Sequence, residues 1–281
     1  MKIAVLTDSG SNLQPEYIKN HSNLYVIPLM ILIDDVQYRD QIEITAHEIY
    51  EQIDTHHITS SLPSLTDFEK AIKDIKSKGY THVVAINISS GLSGTFNSFR
   101  LAFNKVKDLT VLHYDSKTLG GGLGYLVEAA VELCEGLTDF DSIKTKLDKL
   151  RYEDTIAMYT INTLKYLRKG GRIGKVEGTI GDILHIKPVI TVNDEGVYIT
   201  LSKAFGLNRS LISMKNLLEE KFGQDLIDLN VHYGDNYEKA KELGEKLKTT
   251  LNVRNLTISE LTPVLGIHTG PDMFAYVARR V

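Results

Sequence analysis

The chain is poor in cysteine: Cys134 is the only one among 281 residues. No intrachain disulfide can form, and a reducing compartment is the expectation. Cys134 sits in the apolar run of an expected helix with no cationic neighbour to activate a thiolate, so it reads as a core residue. An excess of charge is lacking too. The net charge of −4 gives no electrostatic drive toward nucleic acid or an anionic membrane surface. No apolar run approaches bilayer-spanning length, and the opening MKIAVLTDSG turns polar too soon for a signal peptide, so the expected location is cytoplasmic without stable membrane insertion. Cys/His pairs at zinc spacing are missing, and His56-His57 lies in a polar stretch where solvation is the ordinary fate; no metal site is expected. Low-complexity segments and short repeats are missing as well. What remains is an ordinary globular composition, 42% hydrophobic and 24% charged, in a chain long enough for two domains or one large α/β domain.

Within that composition His82–Phe99 stands out. Val83-Val84-Ala85-Ile86 reads as a buried strand, Ser89-Ser90-Gly91-Leu92-Ser93-Gly94-Thr95 as a turn, and Phe96, Phe99 and Phe103 recur at helical spacing. A strand feeding a hydroxyl-rich turn at a helix start leaves backbone N–H groups free for a small anion or carboxylate. Lys2–Leu6 and Thr110–Tyr114 are further strands, each ending in a polar loop (Thr7–Asn12 and Asp115–Gly124), and a helix is expected over Tyr125–Glu135. Leu24–Ile33 reads as one apolar strand, turning at Asp34-Asp35 and returning through Tyr38-Arg39-Asp40. Thr45 with Glu48 forms a capping box, Ile58–Leu65 reads as a loop around Pro63, and Ser64 is placed to cap the helix Leu65–Lys78. Asp8 and Ser9 serve turn-making at least as well as ligand contact.

Strand and helix alternate to about residue 160, through the helix Phe140–Leu150 and the strand Thr155–Ile161. Beyond it, hairpins mix with helices: strands over His185–Val192 and Val197–Leu201 around Asp194-Glu195-Gly196, then Asn208–Phe222, Ile227–Tyr233, Asn236–Leu251, Val253–Ile258 and Met273–Ala278. The expected fold is α/β: a mostly parallel sheet in an N-terminal domain over 1–162, an α+β domain over 163–281, and a ligand buried at or near their cleft.

Several chemistries lack their motif. Gly120–Gly124 has neither the G-x-G-x-x-G order nor a following Lys-Ser/Thr, which removes both nucleotide readings. Gly91-Leu92-Ser93-Gly94 places its second glycine one residue early for a nucleophile elbow. A serine hydrolase or acyltransferase using Ser93 and His268 stays open, with Asp8, Asp115 or Asp272 as the orienting acid. A lipid or small-carboxylate carrier is another reading. Singly, Ser93 explains itself as a helix cap and His268 as a satisfied core or loop histidine.

In combination these segments resemble the DegV family of fatty-acid-binding proteins, which includes the binding subunits of bacterial fatty acid kinase. The similarity is carried, in order, by Thr7-Asp8-Ser9, Ser60-Ser61-Leu62-Pro63-Ser64, Ser89–Thr95, Asp115-Ser116-Lys117, Leu164–Leu167 with Lys169-Gly170-Gly171-Arg172-Ile173, Ile186-Lys187-Pro188, and His268-Thr269-Gly270-Pro271. The resemblance implies one long-chain fatty acid as ligand, no cofactor and no catalysis by this chain. Its carboxylate would be held by Ser60, Ser93, the Gly94 amide and His268. Arg172 would serve partner docking or the carboxylate side. A separate dihydroxyacetone-kinase-like, ATP-binding subunit would convert the carboxylate to an acyl-phosphate. The acyl chain would supply the affinity: at roughly 0.8 kcal/mol per buried methylene, a tail of about fourteen gains about 11 kcal/mol before ordering and association costs.

Four positions depart from the family pattern. Ser60 replaces a threonine, Asn12 an acidic residue, and Asp272 the glycine of a G-P-G. Phe205 stands where the resemblance puts an arginine directed at the kinase, so fatty acid binding is implied more directly than kinase coupling.

Overall fold

A computed structural model describes residues 2–136, 139–176, 178 and 186–281. Three sheets organise them. The first is fully parallel and has the order β2 (Leu24–Ile27), β1 (Ile3–Asp8), β6 (His82–Asn87), β7 (Thr110–Asp115). Its central strands are apolar on both faces because helices cover both, as a parallel sheet requires: Val5, Leu6, Val83, Val84, Ala85 and Ile86 have no exposed surface. The second sheet is six-stranded and mixed: β10 (Tyr198–Phe205), β9 (Ile186–Val192), β8 (Thr155–Ile161), β13 (Met273–Arg280), β11 (Ile227–Tyr233), β12 (Val253–Glu260), with β11 and β12 its one parallel pair. The third is a small antiparallel sheet, β4 (Val36–Arg39), β3 (Met30–Ile33), β5 (Ile58–Ser61).

The outer layers are ordinary amphipathic helices. The helices α3 (Leu65–Ser77) and α4 (Thr95–Phe103) cover one face of the parallel sheet with Phe68, Ile72, Ile75 and Phe99. On the far face of the six-stranded sheet, α8 (Leu207–Phe222) and α9 (Tyr237–Lys248) bury Leu211, Met214, Leu218 and Leu243. Between the two sheets runs α5 (Gly120–Gly136), whose Leu123, Leu126, Val127 and Val131 share one core with Val5 and Ile86 on one side and Tyr159, Ile161 and Ala275 on the other. Helix α6 (Phe140–Lys149) then carries the chain toward β8. The boundary expected after residue 162 falls just past β8, a strand hydrogen-bonded on both sides into the six-stranded sheet.

Four local expectations need correction. Leu24–Ile33 is two strands in two different sheets. Pro28 has no N–H to offer a ladder, and Leu29 N donates instead to Ser9 Oγ (3.0 Å) as the chain changes sheet. Ile58–Ser61 is the edge strand β5, with Ser60 opposite Ile31. Its hydroxyls hid a backbone fully able to pair. The glycine run is the first turn of α5, five residues earlier than expected, because its backbone packs against Ser11 O, where a side chain at Gly124 would intrude to 2.8 Å. The strand β10 runs on to Phe205. The expected start of β9 at His185 lies outside the described residues. The capping box at α2 (Ala46–Gln52) is present, Thr45 pairing reciprocally with Glu48, and Ser64 Oγ accepts from Thr66 N at the start of α3.

Candidate functional site

The turn Ser89–Thr95 is held from three sides. Asp115 Oδ1 accepts from Ser90 N (3.1 Å), while Lys117 Nζ pairs with Asp115 (2.7 Å) and donates to Ser90 Oγ (3.0 Å). Ser89 Oγ donates to Gly196 O (2.7 Å) in the β9–β10 turn, at a positive φ of 85° where a side chain would collide with Ser89. Arg151 ties the same regions together, donating to Ser116 O and Lys117 O on one side and Asn193 O on the other. Within the turn, Ser93 Oγ accepts from Thr95 N (3.3 Å) and lies 2.8 Å from Thr95 Oγ1. Ser93, one residue before the Gly94 N-cap of α4, thus takes the first helical N–H and lines a cavity at once.

His268 arrives on α10 (Pro263–Thr269), a short helix aimed from its amino end by residues far away in the sequence. Asp40 accepts from Thr262 Oγ1 (2.6 Å) and Val264 N (2.9 Å), and Asn12 Oδ1 accepts from Thr262 N (2.6 Å). Asn12, a departure from the family pattern, therefore has a structural task. The imidazole Nε2 lies 3.0 Å from Ser60 Oγ on β5, and Nδ1 has no partner among the described residues. Burial, with the Arg172 charge adding to it, pushes the His268 pKa down to about 3, so the ring is neutral at pH 7. Arg172 follows α7 (Lys165–Lys169); its Nη1 donates to Gly170 O (2.5 Å), and no carboxylate pairs with it among the described residues.

Ser60, Ser93, Gly94, Arg172 and His268 all line one cavity of about 220 Å³. Leu29, Ile88, Leu92 and Val264 fill the spaces between them. A second, narrower lobe of about 50 Å³ adjoins it, with Leu119, Tyr198, Leu265 and His268 on the wall common to both. This lobe runs between α5 and the six-stranded sheet and is apolar along Ala157, Met158, Val192, Met273 and Val277. Sequence reading missed Tyr198, Leu119 and Leu265. Each looks like an ordinary core residue, and only their shared position on the wall of both cavities shows that they face a space.

The hydrolase geometry is not assembled. Ser93 pairs with Thr95 and His268 with Ser60. Asp8 is consumed by Gly10 N, Asn87 Nδ2 and Ile88 N, Asp115 by Lys117 and Ser90, and Asp272 by Asn162. None of the three reaches His268 Nδ1. Cys134 is half-buried and burial lifts its thiol to about 12, which makes it inert. Among the described residues no group of His, Cys, Asp and Glu is placed to hold a metal ion, and no helix is long and apolar enough to cross a membrane.

Fold and cavity together define an α/β protein with a two-lobed internal site, hydroxyl, imidazole and guanidinium at one end and hydrocarbon at the other. The chain belongs to the DegV family, described as uncharacterised, whose model matches residues 2–280. A DegV domain-containing protein of Clostridium acetobutylicum is 36% identical over 276 residues, covering 98% of each chain. One from Staphylococcus aureus is 34% identical over 279 residues, again covering 98% of each. Among solved structures, a DegV family protein of Thermus thermophilus described by its fatty acid binding superposes with a TM-score of 0.90 at 29% identity over the whole of both chains. A stearic acid-binding protein of Eubacterium ventriosum gives 0.87 at 27%, covering 100% of this chain and 98% of the other.

Proposed function

We propose that the protein binds one long-chain fatty acid, with the carboxylate among Ser60, Ser93, the Gly94 amide, His268 and Arg172 and the tail in the apolar lobe. The observation that carries this reading is the convergence of those five groups, from four separate elements, on one cavity that shares a wall with a largely apolar one. A carboxylate needs several donors aimed at one point, and Arg172 adds a charge with no carboxylate of its own to satisfy among the described residues. The neutral His268 donates without adding a second buried charge. The apolar lobe is narrow, so an entering tail parts the side chains between α5 and the six-stranded sheet. Fatty acid binding by the Thermus and Eubacterium proteins supports the same reading.

We further propose that the bound acid is presented to a separate ATP-binding kinase subunit. A carboxylate oxygen attacks the γ-phosphorus, the bond to the β-phosphate oxygen breaks, and ADP leaves as the acyl-phosphate forms. This chain contributes binding and orientation. The exposed Phe205 at the end of β10 replaces the arginine the resemblance puts there, so docking would lean on other contacts.

Organic extraction of the purified protein followed by mass spectrometry is expected to release a stoichiometric long-chain fatty acid. Arg172→Leu should weaken rebinding about tenfold or more, the worth of one charge-assisted hydrogen bond. An empty extract together with no measurable binding of fatty acids from ten to twenty carbons would refute the binding reading. Absence of acyl-phosphate on mixing the loaded protein with ATP and a dihydroxyacetone-kinase-like subunit would refute the presentation reading alone.

A further inference from the structure

Three residues that line the apolar lobe carry a buried polar atom with no partner among the described residues: Tyr159 at its hydroxyl, His268 at Nδ1 and His232 at Nε2. His232, on β11, is 2% exposed, and its Nε2 has no hydrogen-bond partner among the described residues. The other edge of the ring is engaged: Nδ1 lies 2.7 Å from Ser259 Oγ and 3.3 Å from Asn12 Nδ2. Because Asn12 Oδ1 accepts from Thr262 N, the amide orientation is set and Asn12 Nδ2 is a donor. With Asn12 Nδ2 donating to Glu260 O (3.1 Å) and toward Nδ1, the network assigns Nδ1 as the acceptor and the proton of the neutral ring to Nε2. Burial pushes the His232 pKa down to about 4, so the ring stays neutral at physiological pH.

That protonated edge faces the lobe. Gly120 and Gly121 line it while Ser259 and Asn12 do not, and a Cβ on Gly121 would come within 2.4 Å of His232 Nε2. The same two glycines open the seventeen-residue helix α5, so backbone N–H groups that have no intrahelical acceptor lie at the same place. An imidazole donor and a helix amino end thus meet in a wall that elsewhere combines hydrocarbon with the polar side chains of Tyr159, Thr191, Tyr198, His268 and Thr269. Leaving a buried donor unpaired is costly, and a saturated tail cannot relieve it.

We propose that this end of the lobe is a subsite for an oxygen atom on the acyl tail, so that the protein selects hydroxy or oxo acyl chains over plain ones. The oxygen accepts from His232 Nε2, with the amino end of α5 beside it. The proposal rests on the fatty-acid reading and deepens it. A site built around a donor discriminates against the analogue that lacks the acceptor, because the donor is then buried unpaired.

Titration calorimetry on delipidated protein separates the two ideas. The panel is a plain eighteen-carbon acid and its derivatives bearing one hydroxyl or oxo group, stepped along the whole chain. At least one derivative is expected to bind about tenfold tighter than the plain acid, equivalent to one buried hydrogen bond. His232→Leu should erase that preference, with each derivative then compared against the plain acid in the same variant, and His232→Gln, which keeps a donor, should retain part of it. A wild-type protein that binds the plain acid as well as every derivative overturns the proposal whatever the variants do, and so does a preference that survives in His232→Leu. If no acid of either kind binds, the fatty-acid reading falls with it.

Discussion

Gly170→Ala is expected to weaken fatty acid binding about a hundredfold while the protein stays folded. A Cβ at this position would stand 2.1 Å from His268 Nδ1 and 2.7 Å from its Cε1, so the imidazole has to move. Its helix cannot yield easily. Asp40 and Asn12 hold the amino end of α10, and at the other end a side chain on Gly270 would already strike Tyr166 at 2.3 Å. The ring must swing away from Ser60, into the space the carboxylate needs. Two donors to a charged group are then misplaced, and at about 1.5 kcal/mol each the loss is about 3 kcal/mol, or roughly a hundredfold. Gly170 has an ordinary negative φ, so alanine costs the backbone little on its own. His268→Ala, which removes the ring without blocking the space, should be the milder change. Calorimetric titration of both variants, with circular dichroism to confirm folding, checks the order; a Gly170→Ala protein that binds within threefold of wild type would refute the assigned head pocket.

Acidification from pH 7 to pH 5 is expected to lower the melting temperature of the ligand-free protein by about 10 °C. Burial depresses His268 to about 3 and both His232 and His113 to about 4 in the folded state. Unfolded, each titrates near 6.5, so the unfolded chain takes up protons first as the pH falls. Their contribution to stability is complete above pH 6.5 and is lost between there and the folded values. At pH 5 each imidazole has cost about 2 kcal/mol. Asp8 works in the opposite direction. Burial lifts it to about 6 in the fold, so its protonation on acidification returns about 1 kcal/mol, and the raised carboxyls of Asp40 and Glu128 act in the same sense. Three imidazoles against Asp8 leave a net loss of about 5 kcal/mol, which Asp40 and Glu128 reduce, and in a chain of this size that corresponds to a fall of about 10 °C. Thermal melts at the two pH values test it, and an unchanged or higher melting temperature at pH 5 would contradict the neutral burial of these rings.

Much of this molecule was legible in order along the chain. Continuous apolar strands such as Val83–Ile86 announced a parallel sheet buried on both faces, and Thr45 with Glu48 announced a helix start. Those signals are local, arising from the period of side-chain burial and from backbone groups that need a nearby partner. The residues proposed to hold the head group were named through the resemblance carried by short segments, and Ser60, Ser93, Gly94, Arg172 and His268 line one cavity. The misreadings have non-local causes. Whether Ser60 lies in a loop or a strand depended on β3 as a partner, and whether Gly120 opens a helix depended on the backbones packed against it.

By itself, then, the sequence determined the apolar and polar alternation that makes the elements, the absence of disulfide and nucleotide motifs, and the hydroxyl, imidazole and guanidinium residues that line the cavity. Tertiary structure alone decided where the hydrocarbon end of the site runs and what interrupts it. Tyr198, Leu265 and Leu119 become cavity wall because α5 packs on β8 and β13 while α10 packs against α7 and β5. His232 becomes a donor facing that space because Asn12, 220 residues away in the chain, and Ser259 take the other edge of its ring. Hydrogen-bond satisfaction is a property of neighbours in space, and no spacing along the chain encodes which nitrogen is left over.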